Sequence, residues 1–237
     1  MADTDLRSVI VWFESAEQML MAVLDVIPYE AVHENVWSPR LVTVLLETCS
    51  QLDSLLKQQA VQSPCVASQN LNITDYFALF GQDLSGKWVL FWGESPEKIR
   101  PFGAWQGLAG YDKASYPGHE LKWWKAYNKI KHNRIENRRE ATLRRAVEAL
   151  GGLFLAILYC EICRDAVGAS GWLQSHSPNP KANLDDHLNP MPDRRIVAES
   201  KLFSYPVGWM KRPIKSHWLW SGAGSDRFNH WFNSQAE

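Results

Sequence analysis

The chain has 237 residues, of which 46% are hydrophobic and 22% are charged, and its formal net charge is −1. This is the composition of an ordinary globular protein with one or two domains, long enough to bury a core without disulfide bonds. The near-neutral balance argues against general adhesion to nucleic acid and favours an anionic ligand held at one place.

Two amphipathic helices are predicted in the first part of the chain. Apolar residues recur at helical spacing near 4–27, and Pro28 ends the pattern. Ser38 followed by Pro39 is a capping residue before a proline at the first helical position, and a leucine-rich run follows near 39–57. We assign both helices to a helical bundle.

The N-terminus has no secretory pattern, because Asp3 and Asp5 stand where a signal peptide has basic residues. No stretch reaches the ~18 apolar residues of a membrane span. We therefore expect a cytoplasmic protein that makes no membrane contact.

The middle of the chain carries shorter apolar segments. A short aromatic helix is predicted next, with Thr74 as a candidate cap and Gly81 as its expected end. The run 88–92 is Trp-Val-Leu-Phe-Trp and is flanked by glycines, so it is either a strand or an extended strip across the bundle.

Two further helices are predicted, one basic and one apolar. The basic helix lies near 119–137 and the apolar helix near 139–167, and the two are either continuous or broken near 136–139. Gly151 and Gly152 stand inside the apolar pattern, which indicates a close helix contact or a kink.

The composition changes from Ala169 onward, where prolines recur and tryptophans are spread among them. This segment is too aromatic for a disordered tail. We therefore predict a mainly α fold in two parts: a helical bundle over 1–168 and an extended, irregular arm over 169–237. The tryptophans of the arm would anchor it on the bundle or on a partner.

No metal or cofactor is predicted. Cys160 and Cys163 have C-x-x-C spacing, but no second pair follows at zinc-site distance and both fall in an apolar helical pattern. A buried, reduced pair is the better interpretation. The histidines of the arm have no spacing typical of a metal site.

The basic helix has the highest density of reactive groups. From 119 to 139, seven lysines and arginines face two glutamates, which leaves a local charge of +5 with histidines neutral. Asn128 and His132 are four residues apart and share a helix face. Tyr127, Lys131 and Arg134 follow helical spacing and form an adjacent stripe, which Arg138 continues. This set suits phosphate contact and proton transfer, although a solvated charged face has the same pattern.

The bundle with an Asn-x-x-x-His face resembles the HEPN superfamily of small α-helical proteins, which occur in bacterial defence and toxin systems. The resemblance covers roughly Leu41 to Val167. It rests on the leucine-rich early helix, on the block Trp-Trp-x-x-Tyr-Asn-x-x-Lys-His-x-Arg that begins at Trp123, and on the long apolar helix after it. It implies a homodimeric, metal-independent RNase in which the motifs of two subunits face each other.

The family's motif is carried over position by position. Asn128 matches its polar residue and His132 its histidine, whereas its arginine falls on Tyr127 or Lys125 according to the gap. A lysine binds phosphate as a point charge without the arginine fork, and a tyrosine donates a single hydrogen bond, here in an orienting role.

The roles follow from the chemistry of RNA cleavage without metal. His132 would act as base or acid, with Asn128 orienting the imidazole or a phosphate oxygen. Lys125, Lys131 and Arg134 would stabilise the charge on phosphate.

Two functions remain open on the sequence. The first is an RNA-binding protein or metal-independent endoribonuclease of a defence or toxin–antitoxin system. The second is a catalytically inactive subunit that binds a protein partner through the basic helix and the tryptophan-rich arm. In the second case Asn128 and His132 only hold their helix to its neighbours.

Overall fold

The structure, a computed structural model, describes residues 6–62, 71–93, 96–110, 118–176 and 195–209. Thr4, the predicted cap of the first helix, lies outside these residues. So does the predicted arm beyond Trp209, with Trp218, Trp220 and Trp231.

The described part of the chain is mainly α-helical, which confirms the predicted class. Its helices are α1 (Arg7–Leu24), α2 (Pro39–Val61), α3 (Ile73–Leu84), α4 (Lys122–His132), α5 (Arg134–Asn137), α6 (Leu143–Tyr159) and α7 (Arg164–Ala169). Short 3-10 turns lie at Gly103–Trp105, Arg138–Glu140 and Glu161–Cys163. The predicted cap of α2 is present, because the Ser38 hydroxyl accepts a hydrogen bond from the Leu41 amide at 3.2 Å.

The predicted basic helix is shorter than expected, because α4 ends at His132. Asn133 leaves the helical region with φ −147° and ψ 87°, and its side chain caps α5 by accepting from the Glu136 amide at 3.3 Å. The sequence leaves open whether the basic and apolar helices are separated by a break near 136–139, and the basic helix ends before that point, at His132.

The apolar helix begins at Leu143, so the predicted start at 139 is wrong. The reason is a tertiary contact: the amides of Leu143 and Arg144 donate to the carbonyls of Val36 and Glu34 at 2.8 and 3.1 Å. These bonds satisfy two of the donors that every helix N-terminus leaves free.

α6 is the centre of the fold. Fourteen of its 17 residues are buried. α1, α2 and α4 pack against it, and β-strands cover another side. Burying each large apolar side chain of such a helix contributes about 1.5–3 kcal/mol.

The strands are β1 (Val89–Trp92), β2 (Pro96–Ile99), β3 (Leu173–His176), β4 (Arg195–Glu199) and β5 (Phe203–Trp209). They form one antiparallel sheet in the order β2-β1-β5-β4-β3. The apolar run 88–92 is therefore a strand. The sequence predicts an extended, irregular arm with short elements, and the described beginning of that arm supplies three regular strands of this sheet.

Gly151 and Gly152 permit a close contact, but with the sheet and a loop rather than with another helix. A Cβ on Gly151 would lie 3.1 Å from Val89 and 3.2 Å from Phe203. A Cβ on Gly152 would lie 3.3 Å from Pro101. The two glycines thus let β1, β5 and the loop after β2 approach the α6 backbone.

A buried carboxylate holds the β4–β5 hairpin on α1. Glu17 accepts hydrogen bonds from the Ser200 hydroxyl at 2.6 Å, the Leu202 amide at 2.9 Å and the Lys201 amide at 3.3 Å. One turn earlier, Glu14 accepts from the Trp172 indole at 3.2 Å. Burial raises the pKa of Glu17 above its ordinary value of 4.5, and the hydrogen bonds from the hairpin act in the opposite direction.

Within the described residues, no single helix has the length and apolar character needed to cross a membrane. α6 and the segment Glu161–Ala169 meet the length and composition test only as a pair, and that pair is bent by 81°.

Removing the Glu17 carboxylate should release the hairpin from α1. Glu17→Ala leaves three donors without their acceptor, so we expect a loss of about 1–3 kcal/mol in the free energy of unfolding, measured with urea. Glu17→Gln keeps an acceptor oxygen and should cost less. Glu47→Gln, which changes an exposed carboxylate on α2, is the control.

The same carboxylate should make stability depend on pH. Because its pKa is raised in the folded state, the folded protein binds this proton more tightly than the unfolded chain. The contribution of this proton to the free energy of unfolding is therefore greatest below pH 4.5, and it is lost as pH rises through the folded-state pKa of Glu17. Glu17→Gln should lose less stability than the native chain as pH rises, and identical pH profiles would contradict this.

Candidate anion-binding site

One face of α4 is fixed in the core by aromatic residues. Trp123, Trp124, Tyr127 and Ile130 are buried at helical spacing. The Trp123 indole donates to the Pro101 carbonyl at 2.8 Å, and the rings of Trp124 and Tyr127 lie 5.3 Å apart. The opposite face, which carries the lysines, is thereby directed to solvent.

Two lysines of the exposed face are engaged in ion pairs. Lys125 contacts Glu120 at 2.9 Å, and Lys129 contacts Glu140 at 2.6 Å. Glu140 also pairs with Arg145 at 2.5 Å, and the hydrogen bonds from Lys129 and Arg145 lower the pKa of Glu140. Exposed pairs of this kind contribute about 0–1 kcal/mol. A phosphate at Lys125 would compete with Glu120.

Tyr127 lies on the core side of the helix. Its residue is 4% exposed, and the ammonium of Lys131 lies 5.4 Å from its ring centroid. Burial raises the pKa of Tyr127, and its hydrogen bond with Lys131 acts in the opposite direction. Tyr127, the predicted orienting residue, is therefore buried beneath Lys131 and does not line the surface.

Asn128 and His132 share a face of α4, as their spacing predicts. Asn128 is half-buried and His132 is exposed at the last residue of the helix. Neither side chain makes a hydrogen bond or ion pair with another described residue. Lys129, Lys131 and His132 occupy the last turn, where the helix dipole favours cations.

Arg134 does not continue the predicted stripe, because Asn133 leaves the helix before it. It lies instead on a corner that turns from α4 into α5. We call this surface the basic corner, and it consists of Lys131, His132, Arg134, Arg138 and Arg139, all exposed.

The corner is held by residues that sequence reasoning did not single out. The Asn137 amide donates to the carbonyls of Lys129 and Asn133 at 3.1 and 3.0 Å, so it closes the end of α4. The Arg138 guanidinium donates to the Ile135 carbonyl and lies 5.7 Å from the Trp37 ring centroid. The signal in the sequence is the pair of asparagines four residues apart, a spacing that allows side-chain capping.

Ile135 is the apolar residue of this corner. It is 79% exposed and stands between Arg134 and Glu136 in the sequence. Contiguous exposed apolar patches mark interaction sites, whereas a single exposed apolar side chain is normal on a protein surface.

The cysteines offer no reactive group at the surface. Cys49, Cys160 and Cys163 are free and buried, while Cys65 lies outside the described residues. Burial raises the pKa of each of the three thiols, to about 12 for Cys163. In the described ranges, no group of three or more His, Cys, Asp or Glu side chains could hold a metal ion.

A second surface feature lies between α1 and α2. A groove of about 570 Å³ runs between the two helices, and a hollow of about 480 Å³ adjoins it. Trp12 lines the groove and is 53% exposed. The residues shared by the groove and the hollow are Ser15, Met19 and Thr43.

Comparisons of the chain with protein-family models, with characterised proteins and with solved structures found no match. The site must therefore be interpreted from its own geometry.

Asn137→Ala should loosen the basic corner. Its hydrogen bonds to the carbonyls of Lys129 and Asn133 are removed, so we expect faster hydrogen exchange at the amides of 129–133 and a stability loss of about 1 kcal/mol. Arg139→Ala, which changes an exposed neighbour, should leave the exchange rates unaltered. If the exchange rates are also unchanged in Asn137→Ala, then Asn137 does not hold the corner.

Proposed function

We propose that this protein binds RNA and that the basic corner contacts the phosphate backbone. The observation that carries the proposal is that Lys131, Arg134 and Arg139 are exposed and face no carboxylate of another described residue. Cations that the fold does not neutralise are available to an anionic partner. The resemblance to HEPN proteins favours RNA as that partner.

The chemistry of the corner suits phosphate. Arg134 and Arg139 offer planar forks that bind phosphate oxygens in pairs, and Lys131 adds a point charge.

A more specific form of the proposal is that the protein also cleaves the RNA that it binds. His132 would take the proton from a ribose 2′-hydroxyl, whose oxygen attacks the adjacent phosphorus while the 5′-oxygen leaves with a proton. Asn128, one turn earlier, is placed to orient a phosphate oxygen. A single exposed imidazole needs a second proton-transfer group, which in the HEPN resemblance comes from a facing subunit. Binding is therefore the part that the geometry supports best, and a role in defence or toxin systems depends on the resemblance alone.

One observation favours the alternative of an inactive protein-binding subunit. Ile135 is 79% exposed at the corner, and RNA phosphates offer no apolar surface to it. A protein partner with an acidic, partly apolar surface would use the same cations.

RNA binding is tested by fluorescence anisotropy with a labelled single-stranded RNA in EDTA. The triple variant Lys131→Gln, Arg134→Gln, Arg139→Gln should bind more than tenfold more weakly. The slope of log affinity against log salt should fall by about one unit for each cation that no longer neutralises a phosphate. The control variant changes three exposed or half-exposed lysines elsewhere, Lys57, Lys98 and Lys201, to glutamine.

The outcomes separate the alternatives. Equal reductions of affinity in both triple variants would show general charge attraction, and no binding by the native chain would overturn the proposal. DNA of the same sequence tests whether the 2′-hydroxyl matters. If the RNA is cut, His132→Ala should abolish cleavage and keep most of the binding.

A further inference from the structure

The groove between α1 and α2 is apolar at its base and polar along its rim. Val9, Ala16 and Leu55 line it and are buried. Exposed hydroxyl side chains, among them Ser15 and Ser50, line it nearer the surface. Its volume of about 570 Å³ is in the range of about 300–1,000 Å³ that encloses organic ligands. The groove therefore suits a group that is mainly apolar.

Gln51 gives this groove a hydrogen-bond acceptor that has no donor. Its side-chain amide donates to the Trp12 carbonyl at 3.5 Å. Its side-chain oxygen Oε1 is buried, and no donor among the described residues reaches it. A buried acceptor without a donor is unfavourable, because it has lost its hydrogen bonds to water. A ligand that brings an N–H group into the groove would restore that bond once the Gln51 side chain turns toward it.

The indole of tryptophan combines the two properties that the groove requires. It offers a large apolar surface, and its single N–H group donates a hydrogen bond without accepting one. Phenylalanine has the apolar surface but no donor. Trp12 lines the groove and is 53% exposed, so it provides a ring against which a second aromatic ring can pack.

The direction of β5 decides where the chain goes after its last described residue. The ring of Phe203, at the start of β5, stacks on that of Phe154 in the middle of α6. Further along, the hydroxyls of Tyr205 and Tyr159 lie 2.6 Å apart, and Tyr159 is the last residue of α6. β5 therefore runs in the same direction as α6, and Trp209 lies toward the end of that helix.

The groove opens at the same end of the bundle. The end of α6 adjoins the end of α2, because the Ile162 amide donates to the Gln59 side chain at 3.2 Å. The neighbouring residue on α2, Gln58, lines the groove together with Leu6 at the start of α1. The chain thus leaves the sheet toward the end of the groove.

Tryptophans lie within reach of that end. Trp218 and Trp220 follow Trp209 by nine and eleven residues. Nine extended residues span up to about 30 Å. The groove itself extends from Leu6 to Met19 along α1, a distance of about 20 Å.

The charges of the groove and of this part of the chain are opposite. Glu47 is the one charged residue among those that line the groove in the described part of the chain, and it is exposed. After Glu199 the next acidic residue is Asp226, and the segment between them is basic through Lys201, Lys211, Arg212 and Lys215. A basic segment is therefore drawn to this surface rather than repelled by it.

We propose that the α1–α2 groove is the docking site of the chain's own C-terminal segment, residues 210–237. The sequence Trp218-Leu219-Trp220 enters the groove, where one indole packs against Trp12 and donates its N–H to Gln51. Of the two anchors that the sequence leaves open for the arm, the bundle and a partner, the bundle is thereby selected. No residue of the groove belongs to α4 or α5, so the docking does not depend on RNA binding.

An engineered disulfide in the full chain tests the docking. In a Cys65→Ser background the remaining cysteines are all buried, namely Cys49, Cys160 and Cys163. Ser50→Cys on the rim of the groove and Ser221→Cys next to Trp220 should then join within one chain under mild oxidation. Mass spectrometry and mobility on a non-reducing gel measure the product.

Two pairs of variants provide the controls. Arg139→Cys in place of Ser50→Cys puts the second thiol on the basic corner, where the link should form about tenfold more slowly because docking does not raise the local concentration there. Trp218→Ala with Trp220→Ala should slow the link at Ser50→Cys by about tenfold for the same reason. Loss of two other aromatic rings of the segment, by Phe228→Ala with Phe232→Ala, should leave the rate unaltered.

Proteolysis provides a measurement without engineered cysteines. Ser50→Tyr fills the groove with a bulky side chain, so the segment should be released and trypsin should cut after Lys215 about tenfold faster than in the native chain. Gln82→Tyr, the same change at an exposed residue of α3, is the control. Unchanged circular dichroism confirms that the variants are folded.

Four results would overturn the proposal. They are equal rates of linkage at Ser50→Cys and Arg139→Cys, a link that persists unchanged without Trp218 and Trp220, equal trypsin cleavage of the native chain and Ser50→Tyr, and a linked product of twice the chain mass. The last would assign the groove to a second copy of the chain.

Discussion

The enclosure of α6 is the constraint on which the rest of the structure depends. A helix that is apolar on nearly every side must be surrounded, and three helices cannot cover all of it. The sheet closes the remaining side, and Gly151 makes that closure possible because no side chain separates the α6 backbone from Val89 and Phe203. The hairpin over 195–209 is therefore part of the core and is secured to α1 by one buried carboxylate, Glu17.

The position of the basic corner follows from the same core. The aromatic face of α4 is buried in the core, so the cations on its opposite face are exposed to water. Beyond Ile130 no residue of α4 is buried, and the side chains of Asn133 and Asn137 cap the turn that follows. The corner thus combines the capped end of α4 with arginines on the turn that follows it.

The first helices could be predicted from the sequence because their boundaries depend on local signals. Prediction of the later elements was less accurate because their boundaries also depend on contacts with distant residues. Ser38 and Pro39 mark the start of α2 because capping is decided within four residues. The start of α6 has one local signal, the Thr142 hydroxyl that accepts from the Arg145 amide at 3.5 Å, and is also fixed by bonds to Val36 and Glu34, more than a hundred residues earlier, which no local pattern contains. Asn128 and His132 were placed on one face because both precede the break, whereas Arg134 follows it. Pro206 suggested an irregular arm, yet it lies in β5 opposite Val197, next to a shift of register that tolerates a proline.

The pairing of β1 with β5 has a consequence for synthesis of the chain. Leu90 meets Ser204 across the sheet, so almost half of the chain separates two strands that must be neighbours. Such pairings form late, because the loop between them must be ordered first. As the chain leaves the ribosome, the helices can assemble around α6 while Gly151 and Glu17 still face water. The nascent protein therefore carries an uncovered apolar side and an unpaired edge strand until residue 209 has emerged, and this interval is when it depends most on protection from aggregation.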